Sequence, residues 1–350
     1  MALNNNTQIN NGPVRTERYY IMLEYSEGMM TAAGVVTLFI MIIGVIGNLL
    51  TAIALLRHSK IRTVAAAFIA SLCVSDLLFC CLVLPFAASQ FFHGKWIHGD
   101  ALCSLVPMMR YGSVGVSLIS VATISINRYI LIAYPNVYPQ IYTKTKVALY
   151  IAAIWIFSYG LMMPTFLGVW GTFGRDDKLG TCSINRDANG RSPKVALFMF
   201  GFAMPCLVII ISYANIYWVV RQSQKRVAQH SSSNLNTRRS EMHITKMVIV
   251  IFVAFVVCYL PLTIVKIFDP QLRFPAIHIT AYLLLYTACC INPVIYVTMN
   301  KQYRDAYWAT LRCTSRSYRF DSKSPDNVQN SKSFMSVSYL KNMVAKNPKG

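Results

Sequence analysis

Acidic residues are scarce in this chain: Asp and Glu number 13, against 33 Lys and Arg, in 350 residues. Charged residues of both signs make up only 13%, whereas soluble domains carry about 25%. The sequence contains six scattered histidines and none of the motifs HExxH, GxSxG or GxxxxGK[ST]. Without a catalytic pair or a cluster of metal ligands, the sequence predicts that the protein is not an enzyme, and its low charge argues against a soluble domain.

Hydrophobic residues, by contrast, are abundant and make up 55% of the chain. A helix needs about 20 mostly apolar residues to cross a bilayer. Stretches of this kind occur seven times, at 31–56, 64–92, 101–134, 146–169, 193–220, 243–268 and 276–299. Several contain an internal proline, which membrane helices tolerate better than soluble ones. The predicted fold class is an all-α membrane protein, a seven-transmembrane helix bundle.

The distribution of charge predicts the orientation of these spans. The segments between spans on one side, 57–63, 127–146, 221–246 and 300–350, together carry 22 basic and 4 acidic residues. Lys and Arg accumulate on the cytoplasmic side, so we expect a plasma-membrane protein with its C-terminus inside and its N-terminus outside. Nucleic acid is an alternative partner for a basic chain, but these charges flank the membrane instead of forming one patch. No apolar region of a cleaved signal peptide is evident in residues 1–30.

The chain therefore divides into four predicted regions. These are an extracellular tail (1–30), the seven-transmembrane domain (31–299), an amphipathic helix on the membrane surface (300–313) and a disordered cytoplasmic tail (314–350). The amphipathic helix has basic residues interleaved with aromatic ones, a pattern that suits contact with anionic membrane lipid.

Three covalent modifications are predicted from this topology. Asn5 begins an N-glycosylation sequon in the outer tail. Most cysteines fall inside spans, and only Cys103 and Cys182 lie at the outer, oxidising side, where they form the one plausible disulfide. Cys313 follows the last span on the inner side and is a candidate for palmitoylation.

Polar residues inside the spans are costly, so each is a candidate functional group. Asp76 lies deep in the second span, and Asn48 and Asn292 lie at comparable depth in the first and seventh. These side chains predict either a hydrogen-bonded polar core that joins helices or an ion or proton site, and the two can coexist.

The third span contains Arg110 and Arg128, which are 18 residues apart and therefore lie on one stripe, five helical turns apart. Arg110 lies below the outer surface, at the level of Lys266, Tyr282 and Tyr286. Two cations and two phenols around one cavity would suit a carboxylate or phosphate. The alternative is that Lys266 reaches outward to water and that backbone carbonyls cap Arg110. The candidate ligand-binding residues are Arg110, Tyr111, Val114, Leu262, Lys266, Tyr282 and Tyr286.

Each span also contains a short motif, and the motifs follow one another in a fixed order. They are Gly47-Asn48, Leu72 to Asp76, Cys103 with Asn127-Arg128-Tyr129, Trp155, Pro205 with Tyr213, Phe255 with Cys258-Tyr259-Leu260-Pro261, and Asn292-Pro293-Val294-Ile295-Tyr296. This series resembles the rhodopsin-like (class A) G-protein-coupled receptors. Within that family, Ser125–Tyr129 and the loop Gly168–Lys194 resemble the insect orphan receptors called trapped in endoderm and moody, a melatonin-like group.

The resemblance implies a receptor that transmits the binding of an extracellular ligand to a heterotrimeric G protein, with arrestin and a receptor kinase as further partners. It implies no cofactor other than an allosteric sodium ion held by Asp76, Ser117 and Asn292, which favours the inactive state. Members of the insect group are implicated in cell migration and barrier organisation, so the same roles are implied for this chain.

The resemblance also implies a switch. Arg128 would pair with Glu241 until the G-protein α-subunit binds, Tyr213 and Tyr296 would support the opened form, and Pro205, Leu118 and Phe255 would transmit the change. The implied switch residues are Asn127, Arg128, Tyr129, Tyr213, Glu241, Phe255, Tyr259, Pro261, Asn292, Pro293 and Tyr296.

Four positions depart from common patterns of the family. Asn127 replaces the usual acid, which predicts a weaker hold on Arg128 and some basal activity, and Tyr259 replaces the usual tryptophan. Arg110 stands where amine receptors have Asp, and Tyr286 where visual pigments have the retinal lysine. The predicted ligand is therefore an acidic lipid, a lipid phosphate or another small anion.

Two other classes of protein remain as alternatives. A seven-helix transporter or channel would be expected to contain paired broken helices or repeated halves, and neither is evident in the sequence. A non-signalling adhesion receptor would retain the folding motifs without coupling to a G protein.

Overall fold

A computed structural model describes residues 27–58, 61–176, 180–227, 235–269 and 273–312, with only the backbone described for 223–227 and 235–243. Within this described part, seven helices are long and apolar enough to cross a membrane. The first to seventh spans are Glu27–Arg57, Val64–His93, Gly99–Ala133, Lys144–Phe166, Lys194–Gln222, Ile244–Phe268 and Pro275–Met299. The predicted seven-helix fold class is confirmed, and the observed ends differ from the predicted ones by a few residues.

The third and seventh spans lie at the centre of the bundle. In their most apolar windows 61% and 67% of the residues are buried, a share that the second span matches at 61%, against 17% in the fifth span. Central helices need small or polar residues to pack and bond with several neighbours, whereas peripheral helices present apolar faces to lipid. The residues predicted to carry function lie largely on the central spans for this reason.

Several spans are interrupted where proline or its neighbours disturb the helical hydrogen bonds. The second span consists of Val64–Leu82 and Leu84–His93, and Pro85 occupies the first turn of the second segment. In the fifth span a π-helical turn, Met199–Ala203, comes just before Pro205. Such π turns occur frequently at functional sites, and this one lies beside the cavity described below.

The third and fourth spans approach each other closely at Gly112. A Cβ atom on Gly112 would lie 2.5 Å from Cε1 of Tyr159, so even alanine there would force the tyrosine ring to shift. One turn along, a Cβ on Gly115 would lie 3.2 Å from Cβ of Ser158. Small residues at a crossing let two helix backbones come together in a membrane, and here they place Tyr159 where its hydroxyl bonds with Ser113 Oγ at 3.2 Å.

Two short helices lie at the end of the bundle that the charge distribution predicts to face the cytoplasm, which is called the inner end below. One, Tyr138–Ile141, lies between the third and fourth spans. The other is the surface helix, Lys301–Leu311, whose first turn is capped by the Asn300 side chain, which accepts a hydrogen bond from the Gln302 amide at 2.9 Å. It confirms the short helix predicted after the seventh span.

The loop between the fourth and fifth spans lies at the opposite end of the bundle, which is called the outer end below, and contains an antiparallel hairpin with strand β1 Thr172–Asp176 and strand β2 Thr181–Asn185. The sequence analysis predicted neither strand, because five residues are too few to show a clear hydrophobic alternation. The disulfide predicted between Cys103 and Cys182 is present and ties β2 to the third span. Arg175 adds an exposed ion pair to Asp100 at 2.9 Å.

Candidate functional site: an outer cavity and a polar axis through the bundle

A cavity of about 520 Å³ opens at the outer end of the bundle, within the size range of small-molecule sites. Its walls come from the third to seventh spans and from β2. Six of the seven predicted ligand-binding residues line it: Arg110, Tyr111, Val114, Leu262, Lys266 and Tyr282. Tyr286 instead lies one helical turn below Tyr282, with the two ring centroids 6.1 Å apart, and beside Arg110.

Arg110 is buried, with 6% of its surface exposed. Its Nη2 donates a hydrogen bond to the carbonyl oxygen of Cys182 at 3.0 Å. One alternative drawn from the sequence was that a backbone carbonyl caps Arg110, and this contact is present. A guanidinium has five N–H groups, so this carbonyl uses only one of them, and the disulfide holds that carbonyl in place.

Lys266 approaches the cavity from the sixth span, and its Nζ lies 5.4 Å from the centroid of the Tyr282 ring. The ring attracts the ammonium but carries no net charge to neutralise it. Among the ion pairs of the described residues, none includes Arg110 or Lys266. Arg110 and Lys266 are therefore stabilised by dipoles and rings, and neither forms an ion pair among the described residues.

The lining also includes polar residues that were not predicted as ligand contacts, among them Asp176, Ser183, Lys194, Asp269 and His278. These five lie in the hairpin or near the ends of spans, where hydropathy gives no signal. Asp269 closes the rim by accepting hydrogen bonds from the backbone amides of Arg273 and Phe274, both at 2.9 Å, and by pairing with His278 Nε2 at 3.2 Å. Desolvation alone would raise the pKa of Asp269, but these donors outweigh it and hold the pKa below its usual value.

The floor of the cavity connects directly to the helix core. Tyr259 lines the cavity and stacks on Phe255, with ring centroids 5.4 Å apart and planes 11° apart. Phe255 is buried, as are Leu118 and Pro205. A ligand that moves the Tyr259 ring would therefore act on the residues implied to transmit the change.

Halfway through the membrane, Asp76 is buried at 4% exposure. Its two carboxylate oxygens accept hydrogen bonds from Asn292 Nδ2 at 2.9 Å and Ser117 Oγ at 3.2 Å. Ser117 also contacts Ser75 Oγ at 3.3 Å, and Ser75 donates to the Ser113 carbonyl at 3.0 Å. The predicted residues thus meet as a hydrogen-bonded core that joins the second, third and seventh spans.

The same cluster has the chemistry of a sodium site. Carboxylate, hydroxyl and amide oxygens are the ligands that hard cations prefer. Within the described residues the buried Oδ1 of Asn292 has no hydrogen-bond partner, which leaves an oxygen available beside the Asp76 carboxylate. Asn48 lies apart from this group, because its Nδ2 donates to the carbonyls of Gly44 and Cys289 at 2.9 and 2.8 Å.

At the inner end of the third span, Asn127 and Arg128 are buried, with 0% and 2% exposure. Asn127 Nδ2 donates a hydrogen bond to the hydroxyl of Tyr138 at 3.1 Å, a partner that the sequence did not indicate. Glu241 lies in the stretch whose side chains are not described, so its pairing with Arg128 stays a prediction.

Three of the other implied switch residues, Tyr296, Tyr213 and Tyr129, lie close to this inner end. Tyr296 is fully buried, its ring centroid lies 5.4 Å from that of Tyr303, and its hydroxyl has no partner among the described residues. Tyr213 packs half-buried against the core, and Tyr129 lies at the edge of the bundle with its hydroxyl 3.5 Å from that of Tyr134. Asn5 and Cys313 lie outside the described residues.

A seven-helix bundle with an outer cavity, a buried polar centre and an arginine at its inner end defines a membrane receptor of the rhodopsin type. The family described as 7 transmembrane receptor (rhodopsin family) matches residues 47–296. The chain belongs to this family, and it is a multi-pass membrane protein.

Individual relatives support the same assignment. The chain is 44% identical to the G-protein coupled receptor moody of Drosophila melanogaster, over 83% of this chain and 52% of that protein, so it spans about half of moody's length. It is 39% identical to protein trapped in endoderm-1 of the same organism, over 76% and 74% of the two chains. The crystal structure of squid rhodopsin superposes with a TM-score of 0.74 at 25% identity, covering 85% of this chain and 89% of that one.

These findings confirm the resemblance inferred from the motifs. Melatonin receptors are also among the relatives, at about a quarter identity; the type 1A receptor of Ovis aries, for example, is 26% identical.

Proposed function

We propose that the protein is a plasma-membrane receptor, with its N-terminus outside the cell, that transmits the binding of an anionic ligand to a heterotrimeric G protein. Membership of the rhodopsin family and similarity to a relative named as a G-protein coupled receptor support the coupling. The ligand proposal rests on one observation, the buried Arg110 and the nearby Lys266 without a carboxylate partner among the described residues.

Electrostatics favours an anion at this position. Burying a cation costs free energy unless an opposite charge or several hydrogen bonds compensate it. The Cys182 carbonyl and the Tyr282 ring supply part of that compensation, and a carboxylate or phosphate between Arg110 and Lys266 would supply the rest. The remaining cavity wall is largely apolar, with Val114, Ile119, Leu262, Phe202 and Leu285 among its residues, so an acid with an apolar body fits better than an inorganic ion.

Signal transmission would use contacts between the cavity floor and the helix core. A ligand against Tyr259 acts on Phe255 through their stacked rings. The polar centre at Asp76 links the second, third and seventh spans, and a sodium ion held there by Asp76, Ser117 and Asn292 would stabilise the resting arrangement. Opening of the inner end would expose Arg128 to the α-subunit and would allow the Tyr296 hydroxyl to gain a partner.

Further features of the proposal come from the family alone. Arrestin and a receptor kinase are the expected regulatory partners, and membrane lipid surrounds the spans and the surface helix. Cell migration or barrier organisation is the physiological setting that similarity to the insect receptors favours.

Coupling is tested first without any ligand. We would measure G-protein dissociation in cells that express wild type or Arg128→Ala at equal surface levels, across a panel of α-subunits. Basal dissociation that Arg128→Ala abolishes supports coupling and identifies the partner. Flux of a solute or ion across the membrane without any dissociation would instead favour a transporter.

The ligand class is tested with a panel of long-chain fatty acids, single-chain lipid phosphates and short dicarboxylates. Loss of a charged hydrogen bond costs about 1.5–3 kcal/mol, so Arg110→Ala should weaken the potency of an active anion by about 10- to 100-fold. Arg175→Ala is the matched control, because Arg175 forms an exposed ion pair on the hairpin that contributes little. Equal potency in wild type and Arg110→Ala would rule out the anion site.

A further inference from the structure

At the outer end, one pair of side chains joins the sixth span to the seventh. Asp269 follows directly after the sixth span, and His278 lies in the first turn of the seventh. Oδ2 of Asp269 lies 3.2 Å from Nε2 of His278. The same carboxylate accepts hydrogen bonds from the backbone amides of Arg273 and Phe274, both at 2.9 Å. A single acid therefore holds together the end of one span and the start of the next.

The ring of His278 has one nitrogen paired and one unpaired. The ring is buried, with 3% of the residue exposed, and it lines the rim of the cavity. A carboxylate accepts hydrogen bonds and donates none, so the hydrogen of the neutral ring lies on Nε2, toward Asp269. Nδ1 then carries a lone pair, and this buried atom has no hydrogen-bond partner among the described residues. Nδ1 is therefore the atom at which the ring takes up a second proton.

The charges around His278 both favour and oppose that proton. The other ionisable residues of the cavity lining are Arg110, Tyr111, Asp176, Lys194, Lys266 and Tyr282. Three of them are cations and oppose a further positive charge, whereas Asp269 favours it through direct contact. Of the ion pairs among the described residues, only the one with Asp269 includes His278.

Two other spans that pack along the seventh add little charge near His278. The first span has Glu27 as its ionisable residue at the outer end, and that side chain is exposed. The second span contributes Asp76, which bonds with Asn292, 14 positions and therefore about four helical turns below His278. Asp269 is thus the acid that decides whether His278 becomes charged.

We propose that Asp269 and His278 form a proton-binding site at the rim of the cavity, through which the outer pH controls how firmly the sixth and seventh spans are joined. Histidine is the side chain that ordinarily changes its charge between about pH 5 and 8. A proton at Nδ1 converts the neutral hydrogen bond with Asp269 into a charge-assisted one, which is about twice as strong. This site is separate from the proposed anion contacts, and it requires neither a particular ligand nor coupling to a G protein.

The direction of the pH effect follows from the two partners. Desolvation alone would raise the pKa of Asp269, but the amides of Arg273 and Phe274 and the adjacent His278 hold it below its usual value. Asp269 therefore stays ionised in mildly acidic solution. The ion pair forms in the folded protein when His278 is protonated and is absent from the unfolded chain. Its contribution to stability is present in mildly acidic solution and is lost as the pH rises through the range in which imidazole titrates.

The test compares thermal unfolding of the purified receptor at about pH 7.5 and about pH 5.5, on either side of the ordinary imidazole titration. His278→Gln keeps a side-chain N–H group that reaches toward Asp269 but takes up no proton. On acidification the wild type should gain about 2–4 °C in unfolding temperature relative to this variant. Equal changes in wild type and His278→Gln would overturn the inference.

His98→Gln is the matched control for the loss of a histidine at the outer end. Nε2 of His98 lies 2.8 Å from the hydroxyl oxygen of Ser89, a neutral partner. Protonation of His98 therefore creates no ion pair there, and His98→Gln should show the same change with pH as the wild type. If His98→Gln lost the acid-dependent gain as His278→Gln does, the gain would not belong to the pair at the rim.

A second variant and a second measurement remove any dependence on the folding of His278→Gln. Asp269→Asn removes the charge but keeps one oxygen acceptor, so it should also lose the acid-dependent gain. In the wild type alone, hydrogen exchange corrected for the intrinsic effect of pH should show better protection of residues 273–280 in acid. Protection that does not change with pH, or a gain that survives in Asp269→Asn, would contradict the proposed site. Neither measurement needs a G protein, so a negative result leaves the proposed coupling untouched.

Discussion

The close crossing of the third and fourth spans provides a quantitative test of the helix packing. The perturbation is Gly112→Ala, which places a Cβ about 2.5 Å from the Tyr159 ring. Replacing glycine within a helix by alanine gains up to about 1 kcal/mol in conformational free energy, whereas overpacking costs about 1–3 kcal/mol. The expected net effect is a destabilisation of up to about 2 kcal/mol from these two estimates.

A second glycine isolates the steric part of this effect. Gly160 is also helical, but a Cβ there would meet nothing within 4 Å. Gly160→Ala therefore receives the conformational gain without the clash, and the two variants should differ in stability by about 1–3 kcal/mol. The assay is thermal unfolding of the purified receptor, with a separation of several degrees between the two midpoints.

The clash has a specific partner, which allows a rescue experiment. In a Tyr159→Leu background the ring is absent, so Gly112→Ala should lose most of its penalty, as contacting residues are non-additive. If Gly112→Ala unfolds at the same temperature as Gly160→Ala, or if its penalty persists without the ring, the crossing described here is wrong.

Three further perturbations test other parts of the molecule. Asn127→Asp should lower ligand-independent G-protein dissociation, because a carboxylate beside Arg128 adds a charge pair; an unchanged or higher signal at equal surface expression would contradict this. Asp76→Asn should abolish any rise in unfolding temperature when sodium chloride replaces potassium chloride at equal ionic strength, and a sodium effect that survives would refute the pocket. Cys103→Ser removes a cross-link between residues that are 79 positions apart. By restricting the entropy of the unfolded chain, such a cross-link contributes up to about 4–5 kcal/mol to the free energy of unfolding. The variant should show a clearly lower unfolding temperature and less receptor at the surface, and a stability equal to wild type would argue against a structural role.

Much of the architecture is readable from local sequence. Each span is recognisable because crossing the bilayer requires about 20 apolar residues in a row, a property that depends on no other part of the chain. Asp76 is conspicuous for the same reason, since a single acid inside such a run is costly. The disulfide between Cys103 and Cys182 followed from topology, because only these two cysteines were placed at the outer side.

Tertiary structure decided which of these residues meet. Asp76 bonds with Ser117 and Asn292, which lie 41 and 216 positions away, and resemblance to a known family, not any local pattern, brought the three together. The sequence placed Tyr286 with Tyr282 at the cavity, whereas the packing of the seventh span puts it one turn below. No sequence pattern indicated Asp269 and His278 at the rim, or Tyr138 beside Asn127.

The physical reason for this division is the range of the forces involved. Hydropathy and helical periodicity are local, so one segment at a time determines where helices form and which faces are apolar. Contacts between segments depend on how helices cross, and small residues such as Gly112 and breaks such as that at Val83 set those crossings. If one helix slides along another by one turn, about 5.4 Å, every side chain on it meets a different partner. Only packing of the whole bundle selects among such positions.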